Sequence, residues 1–547
     1  MKMVRNTACF LLITALLVVT GGVGLGLEAE EIIDLSPERT AVEVAPVEVA
    51  LGGLPALETL PLVEELLDPD YRPADALAAA LPVPSIPREA VGEAVAVPEE
   101  QLFFNATLGA GSIHSVLGSI NVFRLGEGPQ FRLGYNHRSS DGFNFEEVGS
   151  GFFLQENLIE AWLRIDRQEK ISLEVEMEYG DHRFGLQQQP VYYSAETRAI
   201  QGRAEVQYLW DHRTTSSVAL EVDDFSRVLT AMDSTGDSER EQFYRVAPVL
   251  SGTMELPRLT VEADLDYSGH FSTGAGLDPA SLVGSSLRIE GIPLEGLSLT
   301  GRGAVRYRFD DKPYFPVEAG FQYNHGDRWT LRGGGGYRVL EQSYVDLWEE
   351  YPVVEIPEDA TEHPPLDEVF FAEGELSLNL RPGFLQANAG FGWFLHQDRL
   401  ISEAYRDDRA VYPLRIDEFE HLETKVGLSV SPRDWLLAEM GWTGRWEDRD
   451  TGVAEQSLNF SLRGDRGGLV ADLEMDIPLE KGEMKVPLLG AGVRYGLARD
   501  VELRVFVSDL LAPFETEGRT RRGIKPSGAD PFIEPGFEAG ASVRVSF

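Results

Sequence analysis

The sequence predicts an all-β chain: a single transmembrane antiparallel up-and-down β-barrel of about 22 strands, preceded by a signal peptide and a disordered acidic tail. Three observations predict it. Apolar and polar residues alternate with period two almost without a break from Gln101 to Phe547, as strands with one apolar face require. After the N-terminus no stretch reaches the roughly 18 consecutive apolar residues of a helical span. Tight turns and long loops also take turns along the chain, the asymmetry of a barrel whose two rims face different compartments.

The elements follow in chain order. Lys2 and Arg5, the apolar run Ala8 to Val23 and the small residues around Gly24 and Gly26 read as a signal peptide over residues 1–29. The single cysteine, Cys9, lies inside it, so no disulfide is expected in the mature protein. Residues 30–100 are rich in Ala, Val, Pro and Glu, with Tyr71 the only aromatic. Such a segment buries too little apolar surface to offset chain entropy, and a mostly disordered periplasmic tail is expected. Residues 101–547 form the barrel.

Alternation sorts the barrel residues into two faces. Ile171, Leu173, Val175, Met177 and Tyr179 oppose Glu174, Glu176 and Glu178, and Leu259, Val261, Ala263, Leu265 and Tyr267 oppose Glu262, Asp264 and Asp266. Tight turns are expected at Asp166 to Lys170, Asp211 to Thr215, Gly291 to Gly296, His325 to Arg328, Arg381 to Phe384, Ser431 to Asp434, Gly464 to Gly468 and Leu497 to Asp500. Long loops are expected at Gly180 to Glu196, Ala231 to Glu241, Glu341 to Leu366, His396 to Val411 and Leu511 to Phe532. In the last strand Phe537, Val543, Val545 and Phe547 share the lipid face, and this strand is the expected handle for barrel-assembly machinery.

The polar faces are the candidate lumen lining. Arg302, Arg306 and Arg308 share one strand, Glu318 lies on the next, and Arg332 and Arg338 on the one after. An arginine ladder beside acceptors either binds an anionic solute or pairs within the wall, and wall pairing is the plainer reading. The carboxylate rows at Glu174, Glu176 and Glu178, and at Glu262, Asp264 and Asp266, favour cations if the lumen conducts.

Other chemistry is not expected. The net charge is −42, which excludes nucleic acid as a partner. The loop carrying Glu349, Glu350, Glu355, Glu358, Asp359 and Glu362 lacks the spacing of a calcium loop. It reads as a solvated external loop, and neither metal nor cofactor is called for. The nine histidines fall in no catalytic motif, and most read as solvated. His137 with Ser139 and Ser140 is the nearest approach to a Ser-His pair, and sequence neighbours seldom form a triad. The chain is not expected to be an enzyme.

The segment Val505-Phe506-Val507-Ser508-Asp509-Leu510-Leu511-Ala512-Pro513-Phe514, followed by Pro535-Gly536-Phe537 and the last strand, resembles the end of TonB-dependent receptor barrels. Leu108-Gly109-Ala110-Gly111 and Tyr135-Asn136-His137-Arg138-Ser139-Ser140-Asp141-Gly142 look like a subset of that family with a periplasmic tail in place of the plug. The resemblance covers residues 101–547 and implies an outer-membrane barrel of a Gram-negative-type bacterium, surrounded by lipid, for passage or capture of an unknown solute. A structural or surface-interaction barrel, binding partners through its long loops and tail, is the alternative. Residues 28–100 are too short and too acidic for a plug, and Ala41-Val42-Glu43-Val44 is a weak match to a TonB-contacting box, so TonB coupling is doubtful.

Overall fold

A computed structural model describes residues 100–547 apart from 127, 144–145, 168–169, 188–190, 232–238, 310, 346–347, 349–352, 357–361, 404–410, 448–455, 481–482, 485 and 513–535. The chain divides into two units, Met1–Val95 and Ala96–Phe547, and the described residues belong to the second. The expected signal peptide and tail lie outside the described residues.

Residues 100–308 form β1 (Glu100–Gly111), β2 (Val116–Gly126), β3 (Gln130–Asp141), β4 (Phe153–Arg167), β5 (Ile171–Gly185), β6 (Tyr192–Asp211), β7 (Thr214–Ala231), β8 (Glu239–Leu256), β9 (Leu259–Thr273), β10 (Ala280–Leu294) and β11 (Leu297–Arg308). There follow β12 (Pro313–Tyr314), β13 (Val317–His325), β14 (Trp329–Leu340), β15 (Val354–Glu355), β16 (Asp367–Arg381), β17 (Leu385–Ser402) and β18 (Tyr412–Arg433). The last are β19 (Leu436–Glu447), β20 (Gln456–Arg466), β21 (Leu469–Glu480), β22 (Glu483–Met484), β23 (Leu488–Ala498), β24 (Val501–Ser508) and β25 (Glu538–Ser546).

The pairs β12, β15 and β22 are two-residue ladders; the other 22 strands make the barrel wall. Each long strand pairs antiparallel with the next, and β25 returns to β1 from Asn105 opposite Ser546 to Gly111 opposite Gly540. Closure leaves no edge with unpaired backbone groups, the condition for a sheet to cross a membrane. The outward positions are apolar: Leu108 is 71% exposed, Val218 59%, Leu250 51% and Leu265 51%. In water that surface is unfavourable, whereas in hydrocarbon it is the solvent-matched face.

Connections of two or three residues, such as 212–213, 257–258, 295–296 and 467–468, lie on one rim, and the longer ones, such as 142–152, 341–366 and 509–537, on the other. The turn between β20 and β21 shows why it is short. Gly467 and Gly468 both have positive φ, 63° and 84°, as a two-residue hairpin turn that matches strand twist demands.

Two expectations about connections change. The loops placed at Gly180 to Glu196 and His396 to Val411 are shorter, because β5, β6 and β17 keep pairing beyond the alternating core, as with Phe184 opposite Ala195 and Ile401 opposite Arg415. Tight turns at 127–129 and 257–258 were not foreseen.

Candidate functional site: the barrel interior

Register places the twelve candidate lumen residues on one face. Glu174, Glu176 and Glu178 on β5 lie opposite Arg164, Trp162 and Glu160 on β4. Glu262, Asp264 and Asp266 on β9 oppose Arg288, Ser286 and Gly284 on β10, which in turn oppose Arg302, Ala304 and Arg306 on β11, with Arg308 opposite Leu282. Arg302 faces Glu318 on β13, and Arg332 and Arg338 on β14 face Glu375 and Val369 on β16. Intervening residues such as Met177, Leu265, Leu287 and Leu299 carry the exposed apolar surface, so the charged set faces inward.

Much of this wall is cross-linked between neighbouring strands. Arg203 on β6 reaches Glu221 on β7 at 2.9 Å as well as Glu205 on its own strand at 2.7 Å, and Arg245 on β8 reaches Asp223 on β7 at 2.9 Å. Trp162 Nε1 donates to Glu174 at 2.7 Å, and Ser286 to Asp264 at 2.9 Å. Arg332 donates to Gln322 at 3.0 Å, and the Arg338 guanidinium lies 3.6 Å from the Phe371 ring centroid. A cavity of 550 Å³ opens among Glu262, Arg288, Arg302, Glu318, Arg332 and Glu373.

The β14–β16 connection folds into the long-loop end of the barrel, contrary to its expected place as a solvated loop. Gln342 anchors its base, donating to the Pro365 and Asp398 carbonyls at 2.8 and 2.7 Å while its own Oε1 accepts from Leu400 N. Trp348 is 2% exposed. Its ring packs 5.4 Å from Phe225 and 4.8 Å from Phe243, with the Arg227 guanidinium 4.3 Å from its centroid. Arg227 also donates to Val354 O at 2.7 Å, and Tyr412 N donates to Val353 O at 2.8 Å where β15 runs parallel to β18.

The physical reason is on the wall. Phe225 and Leu229 on β7 and Phe243 on β8 are inward-facing apolar residues where a water-lined lumen calls for polar ones. They are covered by Tyr344, Trp348, Val353 and Val354. That mismatch is the one sequence signal that reveals the cap; Glu349, Glu350, Glu358 and Asp359 lie outside the described residues.

A charged cluster flanks the cap. Glu341 pairs with His270, whose ring lies 5.6 Å from that of His363. Burial alone raises the Glu341 carboxyl, but the His270 hydrogen bond and the charges of His270, Arg245 and Arg308 outweigh it and hold the group low. Burial first, then the nearby positive charges, push His363 down to about 4. On the other side His396 and His421 depart from the solvated state expected of most of the histidines and are buried: His396 Nδ1 is 2.8 Å from Asp367 Oδ2, and the two imidazoles stack between Phe394 and Phe419.

A cavity of 1080 Å³ runs along another part of the wall. Its lining begins at Gly326, Asp327 and Arg328 on the short-turn rim and ends at Asp509 and Gly536 on the long-loop rim. Between them Asn379, Gln386, Ser429, Glu439, Ser461 and Glu474 succeed one another as register partners on β16 to β21. Gly427, Gly441 and Gly490 keep this wall thin. The sequence candidates did not include this row, because its two carboxylates, Glu439 and Glu474, are interspersed with amides and hydroxyls and form no run of charge along any one strand.

At the C-terminus Val543 faces outward, 41% exposed. Phe547 exchanges backbone hydrogen bonds with Phe104 at 2.8 and 3.1 Å, Val545 pairs with Ala106, and Phe537 immediately precedes β25.

No protein-family model and no curated protein matches the chain. Solved structures do. The ferric enterobactin receptor of Pseudomonas aeruginosa aligns with a TM-score of 0.63 at 11% identity, over 82% of this chain and 80% of that one. The copper transporter OprC aligns with a TM-score of 0.64 at 13% identity, over 83% and 82%. The fold is that of the TonB-dependent receptor barrel. The siderophore receptor PirA from Acinetobacter baumannii, with a TM-score of 0.64 at 9% identity over 83% and 81%, shares it. This receptor-type barrel is an outer-membrane architecture, and the similar structures are receptors and transporters, not enzymes.

Proposed function

We propose that the chain is an outer-membrane barrel for passage or capture of a hydrophilic solute, working without a separate plug domain and with residues 30–100 as a periplasmic tail. The observation that carries this reading is the 1080 Å³ cavity whose lining includes residues of both rims and a row of polar side chains, from Asn379 to Glu474, between them. A purely structural barrel gains nothing from such a cavity, since every unfilled interior volume forfeits packing. The charged rows at Glu174, Glu176 and Glu178, at Glu262, Asp264 and Asp266, and at Arg302 and Arg306 line the rest of the interior. Among the described residues Arg302 and Arg306 make no ion pair, which leaves them available to a solute. The last strand is the proposed contact for barrel-assembly machinery.

The test is single-channel conductance of residues 30–547 refolded into a planar bilayer. Steady steps are expected. Gly441→Phe and Gly490→Phe should lower them: a Cβ at either position meets its nearest neighbour at an ordinary 3.8 or 3.6 Å, so the variants narrow the cavity without breaking the wall. A folded, heat-modifiable barrel that stays silent would overturn the reading in favour of a structural or surface-interaction role.

A further inference from the structure

The outer face of the barrel carries a hydrogen-bonded row of polar side chains near one rim. Outward positions of β3 run Leu133, Tyr135, His137 and Ser139, opposite Val122, Ile120, Gly118 and Val116 on β2; Leu133, Ile120 and Val116 are exposed apolar residues, which fixes the face as the lipid side. On it Ser139 Oγ lies 3.2 Å from His137 Nε2, and His137 Nδ1 lies 2.8 Å from Asn157 Oδ1. The Tyr135 hydroxyl donates to the same Asn157 oxygen at 3.1 Å.

Strand geometry builds this line. Residues two apart on a strand share a face, which sets Ser139 beside His137, and the β3–β4 register sets Asn157 directly opposite His137. With the Nδ1 proton on Asn157 Oδ1, Nε2 is left as the acceptor for the Ser139 hydroxyl, the arrangement of a nucleophile, a base and an orienting group. Gln155 lies opposite Ser139 on the same face, so its side-chain amide can serve as a donor to an oxyanion.

The location selects the substrate. Ser139 is two residues from the end of β3 at the long-loop rim, with apolar residues toward the barrel middle and Arg183, paired in register with Gln155, on the adjoining strand. A hydrogen-bonded polar trio on a lipid-facing wall is unfavourable in hydrocarbon and is tolerated at headgroup depth. That is the depth of the ester bonds of membrane lipids.

We propose that Ser139, His137 and Asn157 form a serine esterase site for long-chain acyl esters of outer-leaflet lipids. Ser139 Oγ attacks the ester carbonyl carbon while His137 Nε2 takes its proton. The carbon–oxygen bond to the alcohol breaks, and His137 returns the proton to the leaving alkoxide, giving a free alcohol and an acyl-serine. Water then attacks the acyl carbon, yields its proton to His137, and the carboxylic acid leaves as Ser139 regains the proton. Ser139 and His137 are the catalytic residues, and Asn157 and Tyr135 are positioning residues.

The experiment uses the refolded barrel, residues 30–547, in detergent and in vesicles of phosphatidylethanolamine and phosphatidylglycerol. A fluorophosphonate probe should label the wild type and not Ser139→Ala. Fatty acid release from the vesicles should fall at least about 10³-fold in Ser139→Ala and His137→Ala, each checked for heat-modifiability. Asn157→Ala should lower kcat with KM unchanged, and Asn157→Asp should recover part of it with a shifted pH profile. Ser140→Ala, on the inward face, should behave as wild type. A folded wild type that neither reacts with the probe nor releases fatty acid overturns the proposal. Hydrolysis of soluble p-nitrophenyl butyrate without release from vesicles overturns the lipid assignment.

Discussion

His363 shows how single residues at the barrel mouth set its response to acid. In the docked cap it faces His270 from β9, Arg308 from β11, Glu341 and the Asp278 backbone, and burial with the nearby positive charges pushes its pKa down from 6.5 to about 4. A depressed histidine pKa means the docked state prefers the neutral ring. Its contribution is complete above 6.5 and is lost as pH falls toward 4. At about 1.4 kcal/mol per unit the full shift corresponds to roughly 3–4 kcal/mol, and because the ring is only half-buried, solvent screening reduces its contribution to docking to about 2 kcal/mol. Glu341, held low, works in the same direction at still lower pH. Conductance through the barrel should therefore rise as the loop-side pH goes from 7 to 4, and His363→Gln should flatten the curve; a pH response identical in the variant would sink the idea. None of this was readable from the chain, because the neighbours of His363 come from four separate segments. The same limit explains the outer-face trio. His137 and Ser139 stand out as a pair in sequence, but Asn157 joins them only through the β3–β4 register. The charged inner rows were easier to read, since alternation alone decides which side Glu174 or Asp264 takes.

The cap is the element on which sequence and structure differ most. Its length and its acids mark it as a loop, and loops carry no periodicity that says inward or outward. Only its contact with Phe225, Leu229 and Phe243 decides the matter. The strands were legible because each repeats the same alternation, and the tight turns because Gly and Asp cluster there. The two missed turns have weaker marks, Pro257 and Arg258 at one and Gly128 and Pro129 at the other. Leu340 and Asp367 are register partners, so a four-residue hairpin turn can replace residues 341–366 without straining β14 or β16. That replacement should enlarge the conductance step several-fold while the barrel stays heat-modifiable. Trp348→Ala, which removes a buried ring at a cost on the order of 3–5 kcal/mol to docking, should give flickering between the two levels. Equal step sizes in all three proteins would show that the cap does not restrict flow.

At the scale of the whole molecule, stability rests on closure. Compact soluble folds hide their apolar residues inside, whereas this barrel turns Leu108, Val218 and Leu265 outward and keeps its charges within, so burial by lipid replaces a conventional core. The inner apolar clusters are local and lie near one rim. What the lipid cannot supply is hydrogen bonding to strand edges, and each unpaired backbone group in hydrocarbon costs several kcal/mol. β25 satisfies two edges together, from Val501 to Ser508 on β24 and from Asn105 to Gly111 on β1. Deleting Glu538–Phe547 exposes both, so the shortened chain should yield no heat-modifiable barrel in any refolding lipid. Phe547→Ala is milder: it removes a ring 5.9 Å from that of Phe104 but leaves the two backbone hydrogen bonds between these residues. It should therefore lower the folded yield while preserving the mobility shift on heating. A truncated chain that still shows that shift would mean β24 can pair with β1 directly, and closure would then depend on strand number less strictly than the observed register implies.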